Sequence, residues 1–154
     1  MHAQARPQCG RRYARAVPRP RVLEFDVTVD AAGDAHSALG GTALARQVEW
    51  WAEHLVLAGL VRCTLASLQY SARRAGLNSK GIGRAHGVVT ERESDGLFAF
   101  VEISTTLEVD LAPVPDDGAL RKVLDDAERG CFVSNSLTAE PRHRWIVNGR
   151  EVRP

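Results

Sequence analysis

The chain contains three cysteines, and two of them lie in sequence contexts that suit redox chemistry. Cys63 and Cys131 each lie in a largely apolar stretch of sequence and stand 68 positions apart, whereas Cys9 lies near arginines and a proline. A buried cysteine is more often a small hydrophobic residue than a nucleophile. Three cysteines in a chain of this kind do not predict a structural disulfide framework. A bond between Cys63 and Cys131 would therefore be redox chemistry rather than a structural crosslink.

Two local features favour a reactive role for these cysteines. Cys131 follows Gly130 at the end of a predicted helix, where the backbone N–H groups of a new turn can stabilise a thiolate. Glu53 opens the helix that carries Cys63, and its neighbours Trp50, Trp51 and Leu55 are apolar, so its carboxylate needs a partner. The alternative for Glu53 is an ordinary first-turn acid that complements the helix dipole.

Other kinds of chemistry have weaker support in the sequence. No CxxC, HxxxH or HExxH pattern places two metal ligands at the usual spacing, so we expect no metal. Gly81-Ile-Gly83 lacks the third glycine and the following helix of a dinucleotide loop, and we expect no cofactor. A Cys–His hydrolase remains conceivable, yet nothing local supports it. The histidines available as its base are His54, His86 and His143.

A central helix and an amphipathic second helix must position these residues. Residues 53–77 predict one continuous helix that ends at Gly76, and its apolar first half is expected to be buried on every face. Residues 119–129 predict a helix with an inward face at i, i+3, i+4 and i+7 spacing. That face consists of Leu120, Val123, Leu124 and Ala127.

Most of the remaining segments alternate apolar and polar residues, which predicts strands. Residues 22–30 predict a half-buried strand, and residues 35–39 a short antiparallel partner. Residues 84–93 and 97–110 predict a hairpin that turns at Asp95-Gly96, after a flexible link over residues 78–83. Within residues 97–110 the alternation of inward and outward side chains shifts by one position, which predicts a bulge near Val101 and Glu102. With a last strand at 142–147 and a turn at Asn148-Gly149, the fold class is α+β, an antiparallel sheet wrapped around a long buried central helix.

The length and charge of the chain indicate how many domains it has and where a tail lies. Its 154 residues suit a single domain, and we place it at 22–154. Residues 1–21 hold six arginines and no acid, which predicts a basic, disordered tail. No aromatic residues alternate with these arginines in the manner of a nucleic-acid site. We find neither a signal peptide nor a membrane-length apolar run, so we expect a cytoplasmic protein without nucleic-acid or membrane partners.

Three motifs resemble those of the OsmC/Ohr family of thiol peroxidases. Residues 53–63, Glu-His-Leu-Val-Leu-Ala-Gly-Leu-Val-Arg-Cys, resemble the family's central-helix motif, in which a glutamate precedes the reactive cysteine by ten positions. Residues 127–137, Ala-Glu-Arg-Gly-Cys-Phe-Val-Ser-Asn-Ser-Leu, resemble its second cysteine motif. Trp145-Ile-Val-Asn-Gly149 is similar to its closing strand and turn. The resemblance covers roughly residues 22–152 and is closest to the OsmC-like branch.

The resemblance implies an organic hydroperoxide reductase that works as an intertwined homodimer with active sites at the subunit interface. It makes Cys63 the peroxidatic cysteine, which becomes a sulfenic acid, and Cys131 the resolving cysteine, which closes a disulfide. A dithiol reductant, such as a lipoyl protein or a small thiol, would reopen that disulfide. The alternative is a non-catalytic dimeric protein of the same fold that binds a small molecule or lipid, or senses redox state.

The family also implies an arginine beside the thiolate, oriented by the glutamate that corresponds to Glu53. The family's early Gly-Gly-Arg is missing here, and Ala52 replaces the proline that usually precedes the glutamate. A continuous helix would separate Glu53 from Cys63 by about 15 Å along its axis. We therefore expect Glu53 to act through a bridging arginine or on the partner subunit's cysteine. The candidate arginines are Arg19, Arg21, Arg46 and Arg62.

Overall fold

The computed structural model of the chain describes residues 22–152. The predicted basic tail at 1–21 lies outside these residues. Contacts within the chain define two units, one that ends at Arg46 and one that begins at Gln47.

The first unit is a short antiparallel hairpin. Strands β1 (Val27–Val29) and β2 (Ala35–Ser37) pair in the register Thr28↔His36. The Asp30 carboxylate accepts hydrogen bonds from the backbone N–H groups of Ala32 and Asp34, which fixes the turn. The hairpin prediction is confirmed, although both strands are shorter than expected. Its apolar face is not half-buried in this chain, because Val27 and Val29 are each 66% exposed.

The second unit is built around helix α1 (Ala52–Arg74), which is continuous as predicted. The Trp51 backbone N–H donates to His54 Nδ1 at 3.1 Å and fixes the start of the helix. Gly76, at φ +76°, ends it in the left-handed conformation that favours glycine. Burial on every face is wrong for the first half, since Leu55 and Val56 are 40% and 37% exposed. The buried stripe lies further along, at Leu60, Thr64, Leu68 and Ala72.

Helix α1 is also long and apolar enough to cross a membrane by length and composition. This corrects the expectation that no segment approaches a membrane span. Core helices of soluble proteins pass the same test. In this chain Leu68 and Ala72 belong to the core cluster that also contains Leu107 and Leu124, so we describe α1 as a core helix.

A four-stranded sheet carries the helix. Its strands are β3 (Asn78–Glu91), β4 (Phe98–Ala112), β5 (Arg142–Val147) and β6 (Arg150–Val152), in that spatial order. The α+β class is confirmed, but the sheet is mixed, because β4 and β5 pair in parallel while the other neighbours are antiparallel. Residues 78–83, expected to be a flexible link, are the start of β3.

The turn and the bulge of the β3–β4 hairpin match their sequence predictions, although β3 begins earlier and β4 ends later than predicted. Gly96 adopts φ +71° in the turn, and the Arg92 N–H donates to the Leu97 carbonyl across it. The register shifts between Val88, which pairs with Glu102, and Val89, which pairs with Phe100. Val101 is therefore the extra residue of a bulge, as the shift in alternation predicted.

Glycines on β3 allow α1 to pack directly on the sheet. A Cβ atom at Gly83 would lie 2.7 Å from Leu107 Cδ2 and 2.8 Å from Val61 Cγ1. At Gly81 it would lie 3.2 Å from Leu65 Cδ2. A side chain at Gly83 would therefore displace Leu107 and Val61, and one at Gly81 would crowd Leu65, so the glycines allow the present spacing between α1 and the sheet.

Two further helices complete the second unit. Helix α2 (Asp117–Arg129) begins at Asp116, whose carboxylate accepts the Ala119 N–H at 2.8 Å. All four predicted inward residues of α2 are buried. The short helix α3 (Phe132–Ser136) follows Gly130 and has Cys131 at its N-cap.

Candidate active site

The fold brings the two cysteines of the apolar segments together. Cys63 lies in the middle of α1, and Cys131 joins α2 to α3. Both are free thiols, and Cys63 packs against the buried cluster that contains Cys131. Cys131 is fully buried, whereas Cys63 is half-buried. The central thiol is therefore not sealed inside the protein, and a disulfide needs no long-range rearrangement of the chain.

Apolar side chains surround both sulfurs. Cys131 forms a buried cluster with Leu60 of α1 and Ile103 of β4, and Cys63 packs against this cluster. The partly buried hydrophobic residues that complete it are Leu57, Phe100, Val133, Leu137 and Ala139. The bulge at Val101 puts Phe100 and Ile103 on the same inner face of β4, although their spacing is odd. The surroundings suit the alkyl part of an organic substrate.

Two donors face the Cys131 sulfur. The Thr64 hydroxyl lies 3.3 Å from Cys131 Sγ, and the Ser134 backbone N–H donates to the same sulfur at 3.4 Å. Burial raises the pKa of the Cys131 thiol, and the neighbouring Cys63 raises it further. The hydrogen bonds from Thr64 and Ser134 act in the opposite direction on that pKa. The expected N–H donor at the start of the new turn is thus present, but the effect of burial is larger.

The Ser-Asn-Ser sequence after Cys131 holds this segment in shape. Asn135 Nδ2 donates to the Arg129 carbonyl at 2.9 Å, which ties α3 back to the end of α2. The Ser136 hydroxyl donates to the Phe132 carbonyl at 2.8 Å. With the Ser134 N–H on the sulfur, the three residues fix where Cys131 lies. The Ser-Asn-Ser run that begins three residues after Cys131 was the available signal for this arrangement.

Gly130 allows α1 to approach the Cys131 segment. A Cβ atom at this position would overlap the Ser67 hydroxyl of α1 and lie 3.0 Å from the Asp126 carbonyl oxygen. Its φ of −84° is open to any residue, so space rather than backbone geometry requires glycine here. Ser67 and Gly130 are thus in close contact on the segments that carry Cys63 and Cys131.

The structure does not join Glu53 to either cysteine within one chain. Glu53 is exposed in the first turn of α1. Since α1 is unbroken, ten residues of helix separate it from Cys63 by about 15 Å. No side-chain hydrogen bond or ion pair links Glu53 to another residue of the 22–152 segment.

None of the candidate arginines contacts a sulfur within the described part of the chain. The Arg46 side chain lies against Gly33 in the first unit, and Arg62 is exposed on α1. Arg19 and Arg21 lie outside the described residues. The hydrogen bonds of the Cys131 sulfur over residues 22–152 come from Thr64 and Ser134.

The histidines considered as bases lie in other environments. His54 accepts the Trp51 N–H, and His86 is exposed on β3. His143 Nδ1 lies 2.7 Å from the buried Thr105 hydroxyl. Over residues 22–152 no three His, Cys, Asp or Glu side chains are grouped to hold a metal ion.

Comparison with known proteins identifies a matching family and similar solved structures. The family of OsmC-like proteins matches residues 49–145. A search of curated proteins gives no match. Among solved structures, an OsmC-like protein from Mycoplasma pneumoniae is similar with a TM-score of 0.64 at 16% identity, covering 84% of this chain and 99% of that one.

Two similar structures are organic hydroperoxide resistance proteins. The protein from Bacillus subtilis has a TM-score of 0.51 at 19% identity, covering 81% of this chain and 96% of its own. The OsmC protein from Legionella pneumophila has a TM-score of 0.56 at 14% identity, covering 83% of this chain and 98% of its own. At these identities the likeness shows a shared fold.

Proposed function

Because the chain belongs to the family of OsmC-like proteins, we propose that it is a two-cysteine peroxidase that reduces organic hydroperoxides to alcohols. Cys63 packs against the buried cluster that contains Cys131, 68 residues away in the sequence, and this packing carries the proposal. Two thiols that meet inside an apolar cluster can store one oxidation event as a disulfide. The half-buried Cys63 is the one that a substrate reaches first.

The reaction has three balanced steps. The Cys63 thiolate attacks the terminal oxygen of ROOH, the O–O bond breaks, and the alkoxide takes a proton and leaves as ROH. Cys63 is now a sulfenic acid. The Cys131 thiolate attacks the Cys63 sulfur, the S–O bond breaks, and the hydroxide leaves as water with the proton that Cys131 gave up. A dithiol reductant then exchanges with the disulfide, is itself oxidised and restores both thiols.

We infer that the active form is a homodimer, because each unit exposes large apolar side chains. In the first unit Phe25 is 76% exposed, and in the second unit Trp51 and Phe98 are 68% and 77% exposed. Exposed apolar surface on this scale marks an interaction site. A second copy of the chain is the partner that fits the exposed first half of α1. In such a dimer Glu53 acts on the partner subunit's cysteine rather than on its own.

The apolar cluster favours organic hydroperoxides over hydrogen peroxide, because only the former carry an alkyl group to bury. The reaction needs both cysteines as thiols between turnovers. A reducing cytoplasm with a lipoyl protein or a small dithiol meets that need.

Steady-state peroxide consumption with a dithiol reductant tests the proposal. Cys63→Ser should abolish turnover of an alkyl hydroperoxide, while the matched control Cys9→Ser should retain it. Cys131→Ser should accumulate a sulfenic acid on Cys63 that a dimedone-type reagent traps. Equal, background-level turnover in the wild type and Cys63→Ser would contradict the proposal.

One observation favours a second candidate function. No arginine contacts either sulfur among residues 22–152, and the family's activating cation is therefore unassigned. A non-catalytic protein that binds a small molecule or lipid, or a redox-sensing protein, would not need that cation for turnover. Unchanged thiols after exposure to an alkyl hydroperoxide would support the binding protein.

A further inference from the structure

Thr64 is the residue next to Cys63, yet its side chain faces Cys131. It is fully buried on α1. Its Oγ1 lies 2.9 Å from the Leu60 carbonyl oxygen and 3.3 Å from Cys131 Sγ. A threonine hydroxyl has one proton to donate and lone pairs to accept. It can therefore donate to the carbonyl or to the sulfur, but not to both at once.

The protonation state of Cys131 decides between the two arrangements. When Cys131 is a thiol, its S–H donates weakly to Thr64 Oγ1 while the hydroxyl donates to the Leu60 carbonyl. When Cys131 is a thiolate, the hydroxyl donates to the sulfur. The second bond is the stronger one, because a hydrogen bond to a charged acceptor is about twice as strong as a neutral one. Leu60 lies inside α1, so its carbonyl keeps its backbone hydrogen bond either way.

We propose that Thr64 is a positioning residue for disulfide formation, and that its hydroxyl turns from the Leu60 carbonyl to the Cys131 sulfur as that sulfur loses its proton. This inference rests on the proposed function, because it concerns the step in which Cys131 attacks the Cys63 sulfenic acid. In that step the S–S bond forms, the S–O bond breaks, and the Cys131 proton leaves with the hydroxide as water. Thr64 holds the attacking sulfur next to its own chain neighbour, Cys63.

The surroundings of Cys131 leave this role to few groups. Over residues 22–152 the Cys131 sulfur interacts with Thr64, with the Ser134 backbone N–H and with Cys63, which is the titratable group among them. Burial raises the pKa of Cys131, and the Thr64 hydrogen bond is the largest of the effects that lower it. Thr64 is also the one side-chain hydroxyl bonded to this sulfur in the described part of the chain.

A titration of Cys131 tests this role without any peroxide. In a Cys9→Ser, Cys63→Ser background, Cys131 is the remaining thiol, and its ultraviolet thiolate absorbance is followed against pH. Thr64→Val, which keeps the branched shape and loses the hydroxyl, should move the midpoint upward by about one to two pH units. Thr64→Ser, which keeps the hydroxyl, should leave the midpoint near that of the parent protein.

The rate of disulfide formation provides the second readout. With Cys63 restored, Thr64→Val should slow closure of the disulfide after one equivalent of alkyl hydroperoxide by about tenfold at neutral pH, and Thr64→Ser should restore it. If Thr64→Val does not fold, Thr64→Ala removes the same hydroxyl without added bulk. Equal titration midpoints in the hydroxyl-free variant and in Thr64→Ser would overturn the inference. Because the titration uses no peroxide, failure of the peroxidase proposal would appear separately, as absent turnover.

Discussion

At the scale of single residues, the environment of Cys131 is more constrained than its place in the sequence indicates. The apolar surroundings of the cysteines and an N–H donor after Gly130 followed from residue types and local spacing, whereas the pairing of Cys63 with Cys131 was implied by the family resemblance. The Thr64 contact did not, because it joins positions 67 residues apart and depends on the rotation of α1. Periodicity placed Thr64 on a helix next to Cys63 but could not show which element its hydroxyl faces.

The surroundings of His143 could not be predicted from the sequence either, and they give a pH-dependent prediction. Burial lowers its pKa below the ordinary value of 6.5, and the Glu128 carboxylate opposes that shift. The unfolded chain therefore binds a proton more readily than the folded chain. The stability from neutral His143 is fully present above about pH 6.5 and is lost as pH falls below it, toward the folded-state pKa.

Urea denaturation of the wild type and His143→Asn at pH 7.5 and pH 5.5 measures this effect. The wild type should lose more unfolding free energy between the two pH values than the variant does. The variant lacks the hydrogen bond to Thr105 at both pH values, so the cost of that loss cancels when the changes in unfolding free energy are compared. Identical slopes would show that His143 does not contribute.

At the scale of elements, the strong patterns predicted most of the fold. The end of α1 at Gly76, the inward face of α2, the Asp95-Gly96 turn and the Val101 bulge are all confirmed. Residues 78–83 were misassigned because glycines usually indicate a link. Here Gly81 and Gly83 are in a strand that must lie close to Val61 and Leu65 of α1. Such a close approach depends on tertiary packing, and no periodic pattern of residues in the sequence indicates it.

The parallel pairing of β4 with β5 also could not be predicted from the sequence. The predicted hairpins supplied antiparallel neighbours, and α2 and α3 lie between β4 and β5 in the chain. A connection through helices allows a parallel crossover, but the alternation within each strand carries no information about its partner's direction.

The contact between Ser67 and Gly130 gives the prediction at this scale. Gly130→Ala should destabilise the protein by about 1–3 kcal/mol, because the new methyl group overlaps the Ser67 hydroxyl and crowds the Asp126 carbonyl. It should also slow closure of the Cys63–Cys131 disulfide by moving the Cys131 segment away from α1. Urea denaturation and single-turnover disulfide formation measure the two effects.

Ser67→Ala in combination with Gly130→Ala provides the matched control. Removing the hydroxyl relieves part of the overlap, so the double variant should recover part of both the stability and the rate. Additive losses in the double variant would show that the two positions do not press on each other.

At the scale of the whole molecule, the exposed apolar surface is the feature that one chain does not explain. Alternation in residues 22–30 predicted a half-buried apolar face, but the apolar residues of this segment are exposed here. The predicted all-round burial of the first half of α1 failed in the same way. Both predictions assumed that a single chain covers its own apolar faces, and the dimer that we propose would bury these surfaces instead.

Light scattering tests the dimer directly. The wild type should have twice the 16.8 kDa mass of one chain at micromolar concentration. Val27→Asp places a charge on the apolar face of β1 and should shift the protein toward the monomer and lower its activity. Thr28→Asp adds the same charge on the opposite face of that strand and should leave the mass unchanged. A monomeric wild type would contradict the dimer and the role of Glu53 across it.

The central claim is that Cys63 and Cys131 form one redox pair, and a thiol count tests it most directly. Reduced Cys9→Ser protein is mixed with one equivalent of an alkyl hydroperoxide per chain, and its free thiols are counted by mass spectrometry after alkylation. The account predicts that both thiols of each chain disappear and that peptide mapping finds the two cysteines joined to each other. Two free thiols per chain after the reaction would contradict it.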